Sequence, residues 1–434
     1  MISGDPGSGA RPATFREVFA GTEFRAIYAA STLSWVGDYV ARAAVTALVY
    51  QITNSVAASA AAFAISYAPW LLGGSVLVAL AERYPYRSVM VVCDLGRMMI
   101  MAMVAIPGIP LPGVLALLFA CALLAPPFDA ARSATLPAVL AGDRYVVGVA
   151  ALGTIAQPAQ VAGYLLGAAL AAHQPRAALL INAGTFAVSA LVVRLGVRQR
   201  LPALGAERRS DLLHETADGF RLVFRTPTLR ALVMIVYGAS LFAVLPEGLG
   251  AVWAAQVANP ASRGLAQGMI MAGAPLGYIL GALTVSRLVP PDLRKRLIRP
   301  LAVATPVLLI PCLADPPAGV VALLACGCGF ALGGLVPVAN GLFVQALPAE
   351  YRARAFGVVQ GGLHLLQGAA VLVAGALAQL YRLPLVVGAW CVGGLCLMAG
   401  LSLALPPALA RSSRGVTGTA RTASRTPLPG TMEP

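Results

Sequence analysis

Charged residues are scarce in this chain, and lysine is almost absent. Aspartate, glutamate, lysine and arginine together make up 11% of the 434 residues, and Lys295 is the single lysine. A Walker A loop requires a lysine followed by serine or threonine after a glycine, whereas Lys295 lies between Arg294 and Arg296. The sequence therefore excludes an ATPase built on that loop.

Histidine and cysteine are also sparse, and their placement argues against a metal centre. The three histidines, His173, His214 and His364, are scattered, and the seven cysteines all fall within apolar stretches. A zinc site needs such ligands clustered at short spacings, and buried free thiols behave as small apolar packing groups. Since no nucleophile constellation is visible either, we predict no metal, no cofactor and no enzymatic activity.

Apolar sequence is what the chain has in abundance. Hydrophobic residues make up 59% of it, and the mean hydropathy is +0.80. A single soluble core of this size could not bury so much apolar surface, whereas a bilayer accommodates it if each run spans as a helix. The predicted spans are 26–50, 56–80, 88–106, 112–131, 146–171, 177–196, 230–256, 265–286, 299–314, 318–345, 355–380 and 384–405.

Basic residues lie mainly at one end of these spans. If the N-terminus is cytosolic, the predicted outer loops contain only Arg176, Arg263 and Arg382, and nearly all other basic residues outside the spans lie on the cytosolic side. This bias follows the positive-inside rule and predicts a multi-pass cell-membrane protein with both termini in the cytosol. The net charge of +14 is spread over the loops rather than collected in one basic domain, which argues against nucleic-acid binding.

The two halves of the sequence resemble each other. Thr-Glu-Phe-Arg25-Ala precedes the first span and Pro-Thr-Leu-Arg230-Ala precedes the seventh; Ala-Thr-Leu136-Pro-Ala follows the fourth and Gln-Ala-Leu347-Pro-Ala follows the tenth. Repeats of six spans share one orientation, as in transporters with a substrate site between parallel halves. The predicted fold is an all-α polytopic membrane protein with twelve transmembrane helices in two pseudo-symmetric six-helix bundles.

These patterns divide the chain into five regions. The predicted organisation is a cytosolic N-terminal segment (1–24), an N-terminal bundle (25–196), a basic cytosolic linker (197–229), a C-terminal bundle (230–406) and a disordered cytosolic tail (407–434). In the linker, apolar residues from Leu212 to Phe224 fall near one side of a helix at about 210–225. This pattern favours an amphipathic helix on the inner membrane face, and a solvated linker is the alternative.

The connection between the second and third spans carries a recognisable motif. Residues 78–87 read Val-Ala-Leu-Ala-Glu-Arg-Tyr-Pro-Tyr-Arg, similar to the Gly-x-Leu-Ala-Asp-Arg-x-Gly-Arg-Arg signature of the major facilitator superfamily. Glu82 replaces the aspartate, and Val78 and Pro85 replace the glycines. The chain most resembles the bacterial drug-exporter branch that includes macrolide-efflux and enterobactin-export proteins. Residues 128–137 also resemble this branch.

The resemblance implies a secondary active transporter of the multidrug-efflux type. It would export a small amphipathic organic molecule (a drug, siderophore or secondary metabolite) by proton antiport with alternating access. A proton-coupled symporter that imports a nutrient or metabolite is the alternative, and a non-transporting membrane receptor is a third class. The expected partners are the small-molecule substrate, protons and membrane lipid, and the chain is expected to act as a monomer.

Charges inside the spans are the first candidates for mechanism, because each costs about 2.5–3.5 kcal/mol on insertion scales. Asp38, in the middle of the first span, could take up a proton from outside and release it inside, or pair with Arg42 one turn later. Glu247, between Pro246 and Gly248, is the second proton-coupling candidate or a residue at the mouth of the pathway. The alternative for Glu247 is an interfacial carboxylate in water.

Other charged residues suggest structural pairs. Asp94, a third proton-coupling candidate, is three residues from Arg97, and Asp129 is three residues from Arg132, so each pair would neutralise its charges locally. Arg42, Arg97 and Arg132 are thus the expected structural partners. In the motif between spans two and three, we expect a charge latch on the inner face that consists of Glu82, Arg83 and Arg87. The alternative is that these residues are ordinary solvated loop charges.

Polar and aromatic residues within the spans suggest a substrate cavity. Its candidate lining residues are Trp35, Tyr67, Trp70, Tyr164, Gln157, Gln360 and His364. Aromatic side chains at these places also suit anchoring in lipid or at the interface, and a lone intramembrane histidine can simply be held by a neighbouring helix.

Overall fold

The structure is a computed structural model that describes residues 13–69, 83–200, 220–347 and 352–404. This part of the chain is helical and contains no strand. The α-helices are α1 (Phe15–Ala20), α2 (Thr22–Thr53), α3 (Val56–Ala64), α4 (Tyr86–Val104), α5 (Leu111–Leu123), α6 (Ala125–Val139), α7 (Asp143–His173), α8 (Pro175–Gly196), α9 (Pro227–Val257), α10 (Arg263–Leu288), α11 (Pro291–Val307), α12 (Ala318–Ala346), α13 (Arg352–Leu380) and α14 (Leu383–Leu403).

Nine helical segments of the described residues are long and apolar enough to cross a membrane. They are Leu111–Val139, Asp143–His173, Pro175–Gly196, Pro227–Val257, Pro260–Leu288, Leu293–Ala314, Ala318–Ala346, Ala355–Leu380 and Leu383–Leu403. Each coincides with a predicted span. The chain is therefore an all-helical, multi-pass membrane protein, as the sequence predicts.

The first three predicted spans fall outside these nine segments. α2 and α4 coincide with the first and third spans, but charged residues such as Asp38 in α2 and Arg97 in α4 lower their hydropathy. The second span is described only as far as residue 69, as α3 followed by a 3-10 turn (Ile65–Tyr67). The remainder of that span lies outside the described residues.

Several helices begin earlier than the apolar runs predict, and proline explains most of these starts. α8, α9 and α11 begin at Pro175, Pro227 and Pro291. Proline is accepted at the first helical position because its missing N–H would have no partner within the helix. The ninth predicted span, 299–314, is accordingly longer in the structure, where an apolar segment runs from Leu293 to Ala314.

Helices of the first half of the chain pack mainly on one another. α2 lies against α7 and α8, and α4 lies against α8. Glycine permits the contact between α2 and α7, because a Cβ atom at Gly167 would lie 2.6 Å from the Val40 carbonyl oxygen. Small residues allow membrane helices to approach closely in this way.

Helices of the second half likewise pack together. α10 contacts α12 most extensively, and α9 contacts both of them. A Cβ atom at Gly277 or Gly281 of α10 would collide with the backbone of α12 at Cys326 or Phe330. The two helices therefore lie backbone against backbone at these glycines.

The two halves meet through α7 with α10 and through α3 with α13. A Cβ atom at Gly268 would lie 3.4 Å from the Cβ of Ala168. The side-chain oxygen of Gln379 in α13 accepts hydrogen bonds from the first residues of α3. Both contacts lie at span ends that the predicted topology places toward the outer side of the membrane.

The linker and tail are described only in part. Residues 220–225 are helical, with Val223 buried, Phe220 exposed and the rings of Phe220 and Phe224 4.4 Å apart. This segment fits the last turns of the predicted amphipathic helix. Leu212, Leu213 and the tail 407–434 lie outside the described residues.

Candidate functional site

A cavity of about 390 Å³ lies between the two halves of the chain. Its wall combines apolar side chains of α9, α12 and α13 with many hydrogen-bonding groups. The lining residues with polar side chains are Tyr39, Arg42, Tyr67, Gln157, Gln160, Ser240, Glu247, Tyr278, Asn340, Gln360, His364 and Gln367. Its volume is in the range of sites that hold small organic molecules.

Glu247 lies in the wall of this cavity and connects the two halves. Its Oε2 atom accepts a hydrogen bond from Nε2 of Gln160 at 2.9 Å and another from the hydroxyl of Tyr164 at 3.0 Å. Both donors are on α7, whereas Glu247 is on α9. The carboxylate is thus enclosed between helices and does not lie at a water-facing end of α9.

Asp38 pairs across helices with Arg97, and not with Arg42 one turn away as the alternative interpretation proposed. Nη2 of Arg97 donates to Oδ1 and Oδ2 of Asp38 at 2.8 and 2.7 Å. The local i, i+4 pair does not form because Arg97 reaches both carboxylate oxygens from α4, and charge-assisted contacts of this length are strong.

Asp94 completes a group of three that we name the Asp38–Asp94–Arg97 triad. Its Oδ1 lies 3.9 Å from Nη1 of Arg97, and its Oδ2 accepts a hydrogen bond of 2.6 Å from the hydroxyl of Ser189. The Asp94 side chain is fully buried, whereas that of Asp38 is 26% exposed. Asp38 is therefore the accessible carboxylate of the triad, and its contact with Arg97 is the shorter one.

A second cavity, of about 220 Å³, gives access to the triad. Asp38 and Arg97 line it, and it shares Tyr39, Arg42 and His364 with the larger cavity. These three shared residues separate the triad from the space around Glu247. A change of charge at Asp38 or at Glu247 can therefore act on the same three side chains.

Arg42 is held at this boundary by aromatic rings. Its guanidinium carbon lies 5.2 Å from the ring centre of Tyr39 and 5.3 Å from that of Tyr67, distances typical of cation–π contacts. The Tyr67 ring stacks on His364 of α13, with ring centres 5.6 Å apart. Arg42, Tyr67 and His364 thus form a layered contact between the two halves.

The predicted cavity residues fall into several groups. Tyr67, Gln157, Gln360 and His364 line the larger cavity, and Trp35 lines the smaller one. Tyr164 is fully buried and contacts the site through its hydrogen bond to Glu247. Trp70 lies outside the described residues.

Sequence reasoning missed several lining residues. Gln160 is three positions after Gln157 on one helix, and Gln367 is two turns after Gln360, so helical spacing could have found both. Tyr278 and Asn340 carry no such signal, because their place in the wall depends on how α10 and α12 pack.

The remaining charged candidates lie away from the larger cavity. Arg132 pairs with Asp129 at 3.0 Å, as the spacing predicts, and its guanidinium lies 4.9 Å from the Trp35 ring. Arg87 donates to the Val197 carbonyl at 3.3 Å, while Arg83 is exposed. Glu82 lies outside the described residues, so the predicted charge latch stays a prediction.

No protein-family model matches this sequence, and no curated protein sequence matches it. Solved structures with a similar fold include a variant of the nucleoside transporter NupG, at 15% identity, with a TM-score of 0.67 over 89% of this chain and 100% of that one. A POT family transporter in complex with 5-aminolevulinic acid has 12% identity and a TM-score of 0.71 over 93% and 98% of the two chains.

A bacterial homologue of the human lysosomal transporter Spinster, in an inward-facing and occupied conformation, gives a TM-score of 0.63 at 13% identity over 88% of this chain and 95% of that one. These structures are transporters of the major facilitator type. At such identities the likeness concerns the fold, which this chain shares over most of its length.

Proposed function

We propose that the chain is a secondary active transporter of twelve membrane-spanning helices, arranged as two six-helix bundles at 25–196 and 230–406. The basic linker 197–229 would join the bundles, with both termini in the cytosol. The shared fold supports this proposal, as do the contacts of α2, α4, α7 and α8 with one another and of α9, α10 and α12 with one another. The cavity between the two groups is the observation that carries the proposal.

The transported molecule is a small amphipathic organic compound, and the direction is export, as in the drug-exporter branch that the sequence resembles. The cavity supports this substrate class because carboxamides and phenols occupy part of its wall, while valine, leucine and phenylalanine side chains occupy the rest. A site of this composition can contact both ends of an amphipathic molecule.

The observed conformation corresponds to one state of an alternating-access cycle. The contacts of Gly268 with Ala168 and of Gln379 with Val56 join the halves at ends that we assign to the outside. The side chain of Gln267 also donates to the Ala43 carbonyl at 2.8 Å near the same level. Under this assignment the outer side is closed, and release to the outside requires these contacts to separate.

Proton antiport would drive the cycle through the Asp38–Asp94–Arg97 triad, with Glu247 as a second coupling site. Two carboxylates share one guanidinium in the triad, so uptake of one proton makes it electrically neutral. A proton on Asp38 weakens the contact with Arg97, which can then move to Asp94 at 3.9 Å. This exchange would loosen α2 from α4 and so couple protonation to helix movement.

Transport in everted membrane vesicles tests the proposal. A susceptibility screen of a deletion strain first identifies an exported compound, and the lumen of the vesicles is then made more acidic than the medium. We expect gradient-driven accumulation that Asp38→Asn abolishes and that Asp315→Asn, in an exposed pair with Arg382, leaves intact. Failure of competent vesicles to accumulate the compound would exclude export, and gradient-driven movement in the opposite direction would indicate symport.

A further inference from the structure

The cation in the larger cavity has no carboxylate partner among the residues that the structure describes. Arg42 is in the middle third of α2, within the first predicted span, and it lines both cavities. A cation inside a membrane is costly unless an anion or polar groups compensate it. The rings of Tyr39 and Tyr67 compensate part of this charge and hold the guanidinium of Arg42 in position.

The carboxylates that line the two cavities have other partners, and Asp129 pairs with Arg132 at 3.0 Å. Both oxygens of Asp38 accept hydrogen bonds from Arg97. Glu247, on the other half, accepts from Gln160 and Tyr164 through its Oε2. The structure thus fixes Arg42 in the cavity wall without pairing it with either acid, and a molecule that enters can supply the missing anion.

We propose that Arg42 is the anion subsite of the cavity and that the substrate is an organic acid. This inference rests on the proposed transport function and narrows its substrate class. A guanidinium presents paired N–H donors that match the two oxygens of a carboxylate or of one face of a sulfonate. The acid group would lie between Tyr39 and Tyr67 and neutralise Arg42.

The rest of the cavity restricts the remainder of the molecule. Gln157, Gln360 and Gln367 offer both donors and acceptors along the wall, while Glu247 on the opposite half is an acceptor when ionised. A hydroxyl or amino group on the substrate, remote from its acid group, fits that acceptor. The substrate is therefore an organic acid with a hydrogen-bond donor at its far end and an apolar body between.

A binding panel of matched compounds tests this assignment on the purified full-length chain in lipid nanodiscs. The acids are 4-hydroxybenzoate, 4-hydroxyphenylacetate and 6-hydroxy-2-naphthoate, each compared with its primary amide and with the matching amine. We expect at least one acid to bind at least about tenfold more tightly than its amide and amine. Arg42→Gln should weaken its binding by about 10- to 100-fold, the usual loss for a charge-assisted hydrogen bond, and Arg42→Lys should restore part of it.

Arg132→Gln is the matched control, because Arg132 also lies over an aromatic ring but is paired with Asp129 outside the larger cavity. It should leave binding of the acid unchanged, and circular dichroism and the melting temperature show whether each variant folds. Three results would overturn the anion subsite: no acid binds the wild type, the amides bind equally well, or a folded Arg42→Gln protein keeps its affinity for the acid.

These outcomes are separable from failure of the transport function. Arg42-dependent binding of an acid, with no flux of it in proteoliposomes, would support the subsite and count against transport. Flux of neutral or cationic compounds without any preference for acids would support transport and overturn the subsite.

Discussion

A single nitrogen of Arg97 donates to both carboxylate oxygens of Asp38, at 2.7 and 2.8 Å, and so joins α4 to α2. Arg97 also stacks on Phe186 at 4.2 Å, and its side chain is 6% exposed. Removing one partner of a buried pair leaves an uncompensated charge. Arg97 therefore determines the stability of this region as well as its proposed coupling.

Replacement of Arg97 by glutamine should destabilise the protein by about 3–5 kcal/mol, because it leaves Asp38 and Asp94 without a cation. The melting temperature in detergent measures this loss. Adding Asp38→Asn to Arg97→Gln removes one of the unpaired charges and should recover part of the stability. A single Arg97→Gln variant as stable as the wild type would contradict the triad.

Replacement of Glu247 by glutamine removes the ionisable group but keeps a hydrogen-bond acceptor at the same place. The glutamine oxygen can still accept hydrogen bonds from Gln160 and Tyr164, so the melting temperature should change little. The dependence of transport on the proton gradient should become weaker, because the side chain no longer binds and releases a proton while the triad still does. Flux measured at several gradients in proteoliposomes checks this expectation.

Tyr164→Phe is the control for this experiment. It removes one hydrogen bond to Glu247 and should cost about 1 kcal/mol of stability, while the carboxylate and its coupling stay. If Glu247→Gln keeps full gradient dependence, Glu247 is a structural residue of the cavity wall.

Replacement of Gln379 by alanine should favour the state that is open to the outside. Its side chain accepts from the backbone nitrogen of Val56 at 3.0 Å, in the first turn of α3, and loss of a helix cap costs about 1 kcal/mol. Such a change shifts a two-state population about fivefold. Gln367→Ala, on the same helix but in the cavity wall, should not produce this shift.

The reporter for this shift is a cysteine at Ala60, which is fully buried and packs next to Gly375. In a background without the native cysteines, Ala60→Cys should react faster with an external, membrane-impermeant maleimide when Gln379 is replaced. Equal labelling rates with and without Gln379 would show that this contact does not hold the outer side closed.

Much of the fold followed from hydropathy alone, because lipid requires long apolar helices and proline marks where several of them begin. The positions of Glu247 and His364 inside spans could also be predicted, since ionisable groups there are exceptional, and Asp38 lies in a helix that coincides with the first predicted span. The hydrogen-bond and ion-pair partners of these side chains could not be predicted from the sequence. Arg97 reaches Asp38 across helices, whereas the only partner that the sequence suggested for Asp38 was Arg42, because only neighbours along one helix can be seen in it.

The composition of the cavity wall could likewise be predicted only in part from the sequence. Gln157 and Gln360 stood out as polar residues within apolar runs, but the exposure of Tyr278 and Asn340 to the cavity depends on crossing angles of helices distant in sequence. The interpretation of Arg42 also changed, because its neighbours depend on how distant helices pack. It looked like a partner for Asp38 and is instead the cation that two phenol rings hold at the cavity boundary.

The most direct test of alternating access through this cavity is a reversible disulfide between α7 and α10. Cβ atoms at positions 168 and 268 would lie 3.4 Å apart, close to the separation of about 3.5–4.5 Å in disulfides. Flux of the exported compound is measured in proteoliposomes that contain the Ala168→Cys, Gly268→Cys variant in a background without native cysteines. We predict that oxidation stops flux and that a reductant restores it, whereas full flux through the oxidised, cross-linked protein would contradict the account.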